Sequence, residues 1–333
     1  MKFERNLMIF LIKQSRKYIC TLFFIFLPLF TYAVESDDAL MLLNKMTKAV
    51  QTQNYRVNLV SQDKNDYATT FEYTHLGATK KEDINAYLLY LEGPAKEIIL
   101  HNSVTSYFQP DSPSFSITSP RIIEAFPDVI YNDFTKLTDI YDFILLGKTR
   151  TANHSVQLVR MVAKEKDRYS YVIWIDEDTY LPMRIDLLDQ NNEIISQLKV
   201  VLLDKNFDKK KIADYINSRT YPILLSIDKQ DDVLDEWRLA WLPNGFKEIA
   251  AYNVNFYNSD IATKLFSDGV FSFTVNVSSE ATKQSNQFIQ KGGRSIFSTN
   301  IANKNIIIIG NLPLVTIERI AQNIVEKTAE TSR

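Results

Sequence analysis

The sequence predicts an α+β fold of two domains, each a largely antiparallel sheet covered by a helix. Three observations predict it. An amphipathic helix is followed by a long series of short segments with period-two alternation; a polar stretch interrupts the series near residue 207; beyond it the alternation resumes and ends in another amphipathic helix.

Taken in order, the first element is an export signal. Lys2, Arg5, Lys13, Arg16 and Lys17 stand against the single acid Glu4, and an uncompensated basic stretch ahead of an apolar one orients a secretory signal. The apolar run Tyr18 to Phe30 has thirteen residues, too few for a bilayer core that needs about 20 helical residues, and Pro28 interrupts it. Thr31-Tyr32-Ala33 places small residues at the first and third positions of an A-x-A-like site, so cleavage is expected after Ala33, with retention as an anchor the alternative. Cys20, the one cysteine, lies inside this segment. The mature chain therefore offers no thiol for a disulfide, a metal or nucleophilic catalysis.

Ser36 followed by Asp37 and Asp38 reads as a helix start, and Ala39, Leu42, Leu43, Met46, Ala49 and Val50 carry one apolar face to about Gln53. Tyr55, Val57 and Leu59 then alternate with their neighbours, as do Thr69, Phe71 and Tyr73. Further strands are expected at 86–91, 96–102, 105–109 and 114–118, separated by Gly93-Pro94, Asn102-Ser103 and residues 110–113. Between 120 and 143 the alternation lapses into short helical turns that cover the sheet. Strands at 169–175, 181–188 and 193–203 form a meander with turns at 176–180 and 189–192.

The polar, charged stretch 207–234 reads as a linker, with Lys209-Lys210-Lys211 a solvated end. After it Trp237, Leu239 and Trp241 alternate, 246–257 continues the sheet, and 265–277 folds back across Asp268-Gly269, a hairpin signal. Strands at 294–299 and 305–309 follow, the second fully apolar and so central, and Pro313 opens a closing helix. The expected division is 1–33 signal, 34–206 first domain, 207–234 linker, 235–328 second domain and 329–333 tail.

Charge and motifs exclude more than they suggest. Setting aside the signal's five bases and one acid from totals of 38 and 40 leaves 33 basic against 39 acidic side chains, a formal charge of −6 that does not recommend nucleic acid. His75, His101 and His154 are not at metal-ligand spacing and read as structural. Asp176-Glu177-Asp178 and the Asp186, Asp189 pair invite a calcium or general-acid reading, but carboxylates at hairpin tips more often shape turns. No nucleophile elbow, phosphate loop, zinc helix or dinucleotide fingerprint occurs, so no catalytic residue, metal or cofactor is expected. Aromatic residues make up 12% of the chain, and many lie on predicted strands, where they fill a core or line an acyl cavity.

Longer stretches carry a resemblance. Tyr169-Ser170-Tyr171, Trp174-Ile175-Asp176 and Thr179-Tyr180-Leu181-Pro182-Met183-Arg184 resemble the strand pair of the RseB/MucB family of periplasmic regulators. Leu91 to Glu97, Trp241-Leu242-Pro243-Asn244-Gly245-Phe246, Ser267 to Ser272 and Gly310-Asn311-Leu312-Pro313 are similar to family segments in the same order. The resemblance implies that the first domain is an unclosed antiparallel β-barrel covered by helices, like the lipoprotein carriers LolA and LppX. It also implies a second domain of antiparallel sheet plus helix.

For function, the resemblance implies a periplasmic protein that binds the periplasmic segment of an RseA/MucA-like transmembrane anti-sigma factor, shields it from proteolysis and is released by lipopolysaccharide or another acyl lipid. A homodimer is left open. Trp241, Phe246, Asp268 and Phe271 are expected at or supporting the partner surface, and Tyr55, Val57, Leu59, Phe71, Tyr73 and Ile98 are the candidate lipid cavity. The alternatives are a periplasmic lipid or lipoprotein carrier that uses the first domain alone and, third, a secreted hydrolase.

Overall fold

A computed structural model of the chain describes residues 31–78, 80, 83–225, 237–256, 259–278, 287–301 and 304–326. The predicted signal up to residue 30, residues 226–234 of the predicted linker, and residues 235–236 and 327–333 lie outside the described residues. Among the described residues no helix is long and apolar enough to cross a membrane.

Helix α1, Thr31–Thr52, buries Ala39, Leu43, Met46 and Val50 completely, at the three- and four-residue spacing that puts them on one face. Ser36 is not its cap. The helix already runs through 31–36, and with no proline or glycine between Thr31 and Thr52 nothing in the chain stops it there.

Eleven strands make one antiparallel sheet: β1 Tyr55–Asp63, β2 Thr69–Leu76, β3 Asn85–Tyr90, β4 Glu97–His101, β5 Val104–Phe108, β6 Phe115–Thr118, β7 Tyr141–Thr151, β8 His154–Ala163, β9 Ser170–Asp176, β10 Pro182–Leu188 and β11 Ile194–Asp204. Their order is β6-β5-β4-β3-β2-β1-β11-β10-β9-β8-β7, so the first strand pairs with the last of the meander while β6 and β7 remain unjoined edges. The sheet is an unclosed barrel. Its alternation is the predicted one: Val57 faces Tyr73 and Leu59 faces Phe71 across β1–β2, and all four point inward and are buried.

Two short 3-10 turns, Asp128–Tyr131 and Phe134–Leu137, lie with α1 over the concave face and bury Val129, Ile130, Phe134 and Leu137. The Thr47 hydroxyl donates to the Ile130 carbonyl at 2.9 Å, and the Phe134 N–H donates to Asn44 Oδ1 at 3.3 Å, which pins this cover to the helix. The sequence does not disclose the β7–β8 hairpin. A bulge between Leu145 and Gly147 breaks its alternation, and its turn is built from Ala152 and Asn153 at positive φ rather than from a glycine pair.

Much of the segment read as a linker is instead attached to the first sheet. Asp208 caps helix α2, Lys209–Ser218, by accepting from the Lys211 N–H at 3.0 Å, so the lysine triplet is solvated as expected but forms the first turn of a helix rather than the end of a strand or linker. Tyr215 Oη donates to Glu97 at 2.7 Å, and Arg219 pairs with the same carboxylate. The chain then runs beside β6: Ser116 N–H donates to Ile223 O at 3.0 Å and Leu225 N–H to Ser116 O at 2.8 Å.

The second domain is a six-stranded antiparallel sheet of β13 Lys247–Phe256, β14 Ser259–Ser267, β15 Ser272–Ser278, β16 Gln287–Lys291, β17 Arg294–Ile301 and β18 Lys304–Gly310, in the order β13-β14-β15-β18-β17-β16. The apolar strand β18 sits inside the sheet, as its composition predicts. Helix α3, Leu314–Gln322, lays Ile317 and Ile320 on it, and the strand pair β12 Trp237–Leu239 and β19 Ile324–Glu326 closes the unit.

Candidate functional site

The chemistry-bearing side chains converge where the domains meet. Asp268 lies in the β14–β15 turn, and its two carboxylate oxygens have different tasks. Oδ1 accepts from the Val270 and Phe271 N–H groups at 2.8 and 2.7 Å, which shapes the turn that Gly269, at φ 95°, completes. Oδ2 reaches the first domain, where Arg168 Nη1 donates at 2.6 Å and Tyr141 Oη at 2.9 Å.

The Arg168 and Asp268 side chains are 1% and 0% exposed. Arg168 also donates to Asp167 Oδ1 at 2.7 Å and to the Asn244 carbonyl at 2.6 Å, so its fork is filled from both domains. Burial, and then the Asp268 carboxylate, holds Tyr141 well above the ordinary phenol range, which keeps its hydroxyl a donor.

Around this pair the predicted partner residues are mostly enclosed. Phe271 stacks on Tyr171 with ring centroids 5.6 Å apart, and Phe246 lies under the Arg168 guanidinium at 5.1 Å; both are buried. Trp241 is half-buried beneath Arg319, whose guanidinium lies 3.8 Å from the ring. Asp268, Phe246 and Phe271 are thus brought together, with Trp241 apart from them. The first-domain members Tyr141 and Arg168 were not found from sequence, since Arg168 closes a run of charges, Glu165-Lys166-Asp167, with nothing to mark it as buried.

The six candidate cavity residues, Tyr55, Val57, Leu59, Phe71, Tyr73 and Ile98, are packed in the barrel core, none more than 3% exposed. Tyr73 reaches a void of about 80 Å³ shared with His75, Leu100 and Tyr131. That is room for two or three waters at about 30 Å³ each. His75 stacks on Tyr55 and bonds the Gln53 carbonyl through Nδ1 at 2.9 Å; burial lowers its pKa to about 4.

Larger spaces open at the barrel mouth. A cleft of about 630 Å³ runs between Phe126, Ile185 and Leu198 of the barrel and Ile289, Ile296 and Arg294 of the second domain. Another, of about 700 Å³, lies among Lys64, Asp189, Gln290 and Val315. Both are within the size range of small-ligand sites.

The suspected acidic sites are occupied by the chain itself. Asp176 accepts from Thr179 N–H and Oγ1, each at 2.7 Å, and bonds His154 Nδ1 at 2.9 Å; Asp186 holds Arg184 through two bonds. Among the described residues no group of three or more His, Cys, Asp and Glu side chains could hold a metal ion.

Comparison with known proteins fits both halves of this architecture. Residues 38–216 match the MucB/RseB N-terminal domain and residues 231–325 the MucB/RseB C-terminal domain. The chain belongs to the MucB/RseB family. It is 34% identical over 286 residues to the sigma-E factor regulatory protein RseB of Escherichia coli, covering 85% of this chain and 89% of that one. To the protein of the same name from Haemophilus influenzae it is 36% identical, covering 88% and 92%.

Of solved structures, the complex of Pseudomonas aeruginosa MucA and MucB matches with a TM-score of 0.70 at 20% identity, over 88% of this chain and all of that one. The crystal structure of MucB alone matches with a TM-score of 0.60. Both share the two-domain fold described here.

Proposed function

We propose that this chain is a periplasmic regulator that binds the periplasmic segment of a transmembrane anti-sigma factor and so restrains an envelope-stress sigma factor of the sigma-E type. The observation that carries this is the match across both domains, in order, to relatives named as sigma-E regulators over nine-tenths of their length. A solved family complex holds MucB together with MucA, which supports an anti-sigma partner for this chain as well. Binding rather than catalysis also suits a junction whose charged groups are committed to one another.

On this reading the bound partner is shielded from proteolysis, and an acyl lipid such as lipopolysaccharide releases it. Release requires the lipid to favour the partner-free form, because a ligand shifts an equilibrium only by its differential affinity. The half-buried Trp241 and the exposed Arg319 over its ring belong to the candidate partner surface. The clefts at the barrel mouth are better proportioned for an acyl chain than the packed interior.

The test is calorimetric titration of the mature chain with the anti-sigma periplasmic segment, followed by protease digestion of that segment with and without the chain. Binding with Kd below about 10 μM, near −7 kcal/mol, and slowed cleavage are expected. No binding at that concentration overturns the proposal. A lipid carrier would instead be isolated with stoichiometric acyl ligand and would leave cleavage of the segment unchanged.

A further inference from the structure

Among the described residues the contact between the domains differs in character at its two ends, which the buried Tyr169 bridges by packing on Phe271 and accepting from Gln290. One is the buried cluster of Arg168, Asp268 and Tyr141, flanked by the Thr316 hydroxyl donating to the Asp167 carbonyl at 2.8 Å. The other is the tip of the β16–β17 hairpin, which lies across the barrel mouth with the two clefts on its two sides. There Lys291 Nζ approaches Asp66 at 2.6 Å, with side chains 65% and 33% exposed, and Gln290 donates to Tyr169 Oη at 2.9 Å.

The tip fits because it has no side chains. A Cβ on Gly292 would lie 2.1 Å from the Asp63 carboxylate, and one on Gly293 would lie 2.4 Å from Leu187. Strand β16 is a sheet edge and all five of its residues are exposed, so the hairpin rests on the barrel through its tip, where Gly293 and Tyr169 are buried.

Magnitudes decide which contact yields first. Parting the domains at the cluster returns Arg168 and Asp268 to water together but also bares the rings of Phe246 and Phe271, and exposing one buried Phe shifts an equilibrium by about tenfold to a hundredfold. An exposed pair shifts it by about fivefold at most. When the tip lifts, Lys291 and Asp66 return to water at small cost and Tyr169 loses the cover of Gln290 and Gly293 but keeps Phe271, whereas parting the cluster uncovers Phe246 and Phe271 and empties the fork of Arg168.

We propose that the Arg168–Asp268 cluster is a fixed pivot and that the β16–β17 hairpin is a lid, lifting from the barrel mouth about that pivot and joining the two clefts into one groove. What the groove serves rests on the regulatory reading above; the existence of pivot and lid does not.

The test uses the full mature chain, whose lack of native cysteine permits clean spin labelling at introduced pairs. Lys64→Cys with Phe288→Cys spans the lid, and Asp139→Cys with Asn244→Cys spans the pivot. Pulsed electron paramagnetic resonance should show a longer-distance component at the lid pair. That component should grow about threefold or more when Gln290→Ala and Lys291→Ala remove the latch, and grow likewise in 1 M salt, which screens the exposed pair without any substitution. The pivot pair should keep one unmoved distance throughout.

Distances that lengthen together at both pairs would mean that the whole domain undocks, and a lid pair unmoved by latch removal and by salt would mean a rigid junction; either overturns the proposal. Titrating the labelled chain with the anti-sigma segment separates the two readings. Failure to bind removes the regulatory function and leaves pivot and lid to be judged by the distances alone.

Discussion

Replacing Asp268 by alanine or by asparagine separates the two tasks of one carboxylate. Oδ1 shapes the β14–β15 turn through two N–H donors, and Oδ2 takes Arg168 and Tyr141 from the other domain. Asparagine keeps an Oδ1 acceptor for the turn but presents an N–H₂ to a guanidinium that has only donors. Breaking a buried pair costs about 3 to 5 kcal/mol when a charge is left alone. Arg168 retains Asp167 at 2.7 Å, which places the loss near the lower end, about 3 kcal/mol for either variant. At about 2 to 4 °C per kcal/mol for a chain of this size class, the melting temperature should fall by roughly 6 to 12 °C. Calorimetry is the assay, because undocking should also split unfolding into separate transitions for the two domains. The reasoning fails if asparagine costs less than about 1 kcal/mol while alanine costs about 3, since the turn would then be the whole effect.

Other expectations follow from single sites. His75 has a folded pKa of about 4 against an ordinary 6.5, so the unfolded chain binds the extra proton first. Its contribution is intact above pH 6.5 and is lost progressively as pH falls toward 4, by up to about 3 kcal/mol, and urea midpoints for His75→Phe should lack that part of the slope. Phe271→Ala empties the ring site against Tyr171 and should cost about 3 to 5 kcal/mol by urea titration. Gly310→Ala would put a Cβ 2.3 Å from that of Phe273 and 2.9 Å from the Ser272 carbonyl, prising β15 from β18 at a cost of about 1 to 3 kcal/mol by thermal melting.

What the sequence disclosed and what it hid follow from how far a contact reaches along the chain. The strands of the first sheet announce themselves because each inward position, such as Val57 or Phe71, answers to a local period of two. The β7–β8 hairpin escaped because its bulge at Gly147 shifts that period midway. The run 207–225 reads as polar and therefore as a linker, yet its anchors, Glu97 for Tyr215 and Ser116 for Leu225, lie more than a hundred residues upstream. At the junction, Asp268 was singled out for turn geometry, which Oδ1 does satisfy. Its second task depends on Arg168 and Tyr141, 100 and 127 residues away, and no local pattern encodes such a pairing.

The division of labour within that carboxylate ties local folding to domain docking. Oδ2 can meet Arg168 only when Oδ1 is held by the Val270 and Phe271 amides, because the same turn that fixes the carboxylate also aims Phe271 at Tyr171. An apolar junction of equal area would hold the domains together by a non-directional force and tolerate a range of angles. A guanidinium whose donors are divided between Asp268, Asp167 and the Asn244 carbonyl accepts one. The orientation of the second domain over the barrel mouth is therefore set at one buried point by groups from both sides, while the far end of the same domain meets the barrel through the exposed Lys291–Asp66 pair and the buried Tyr169 beneath Gln290 and Gly293.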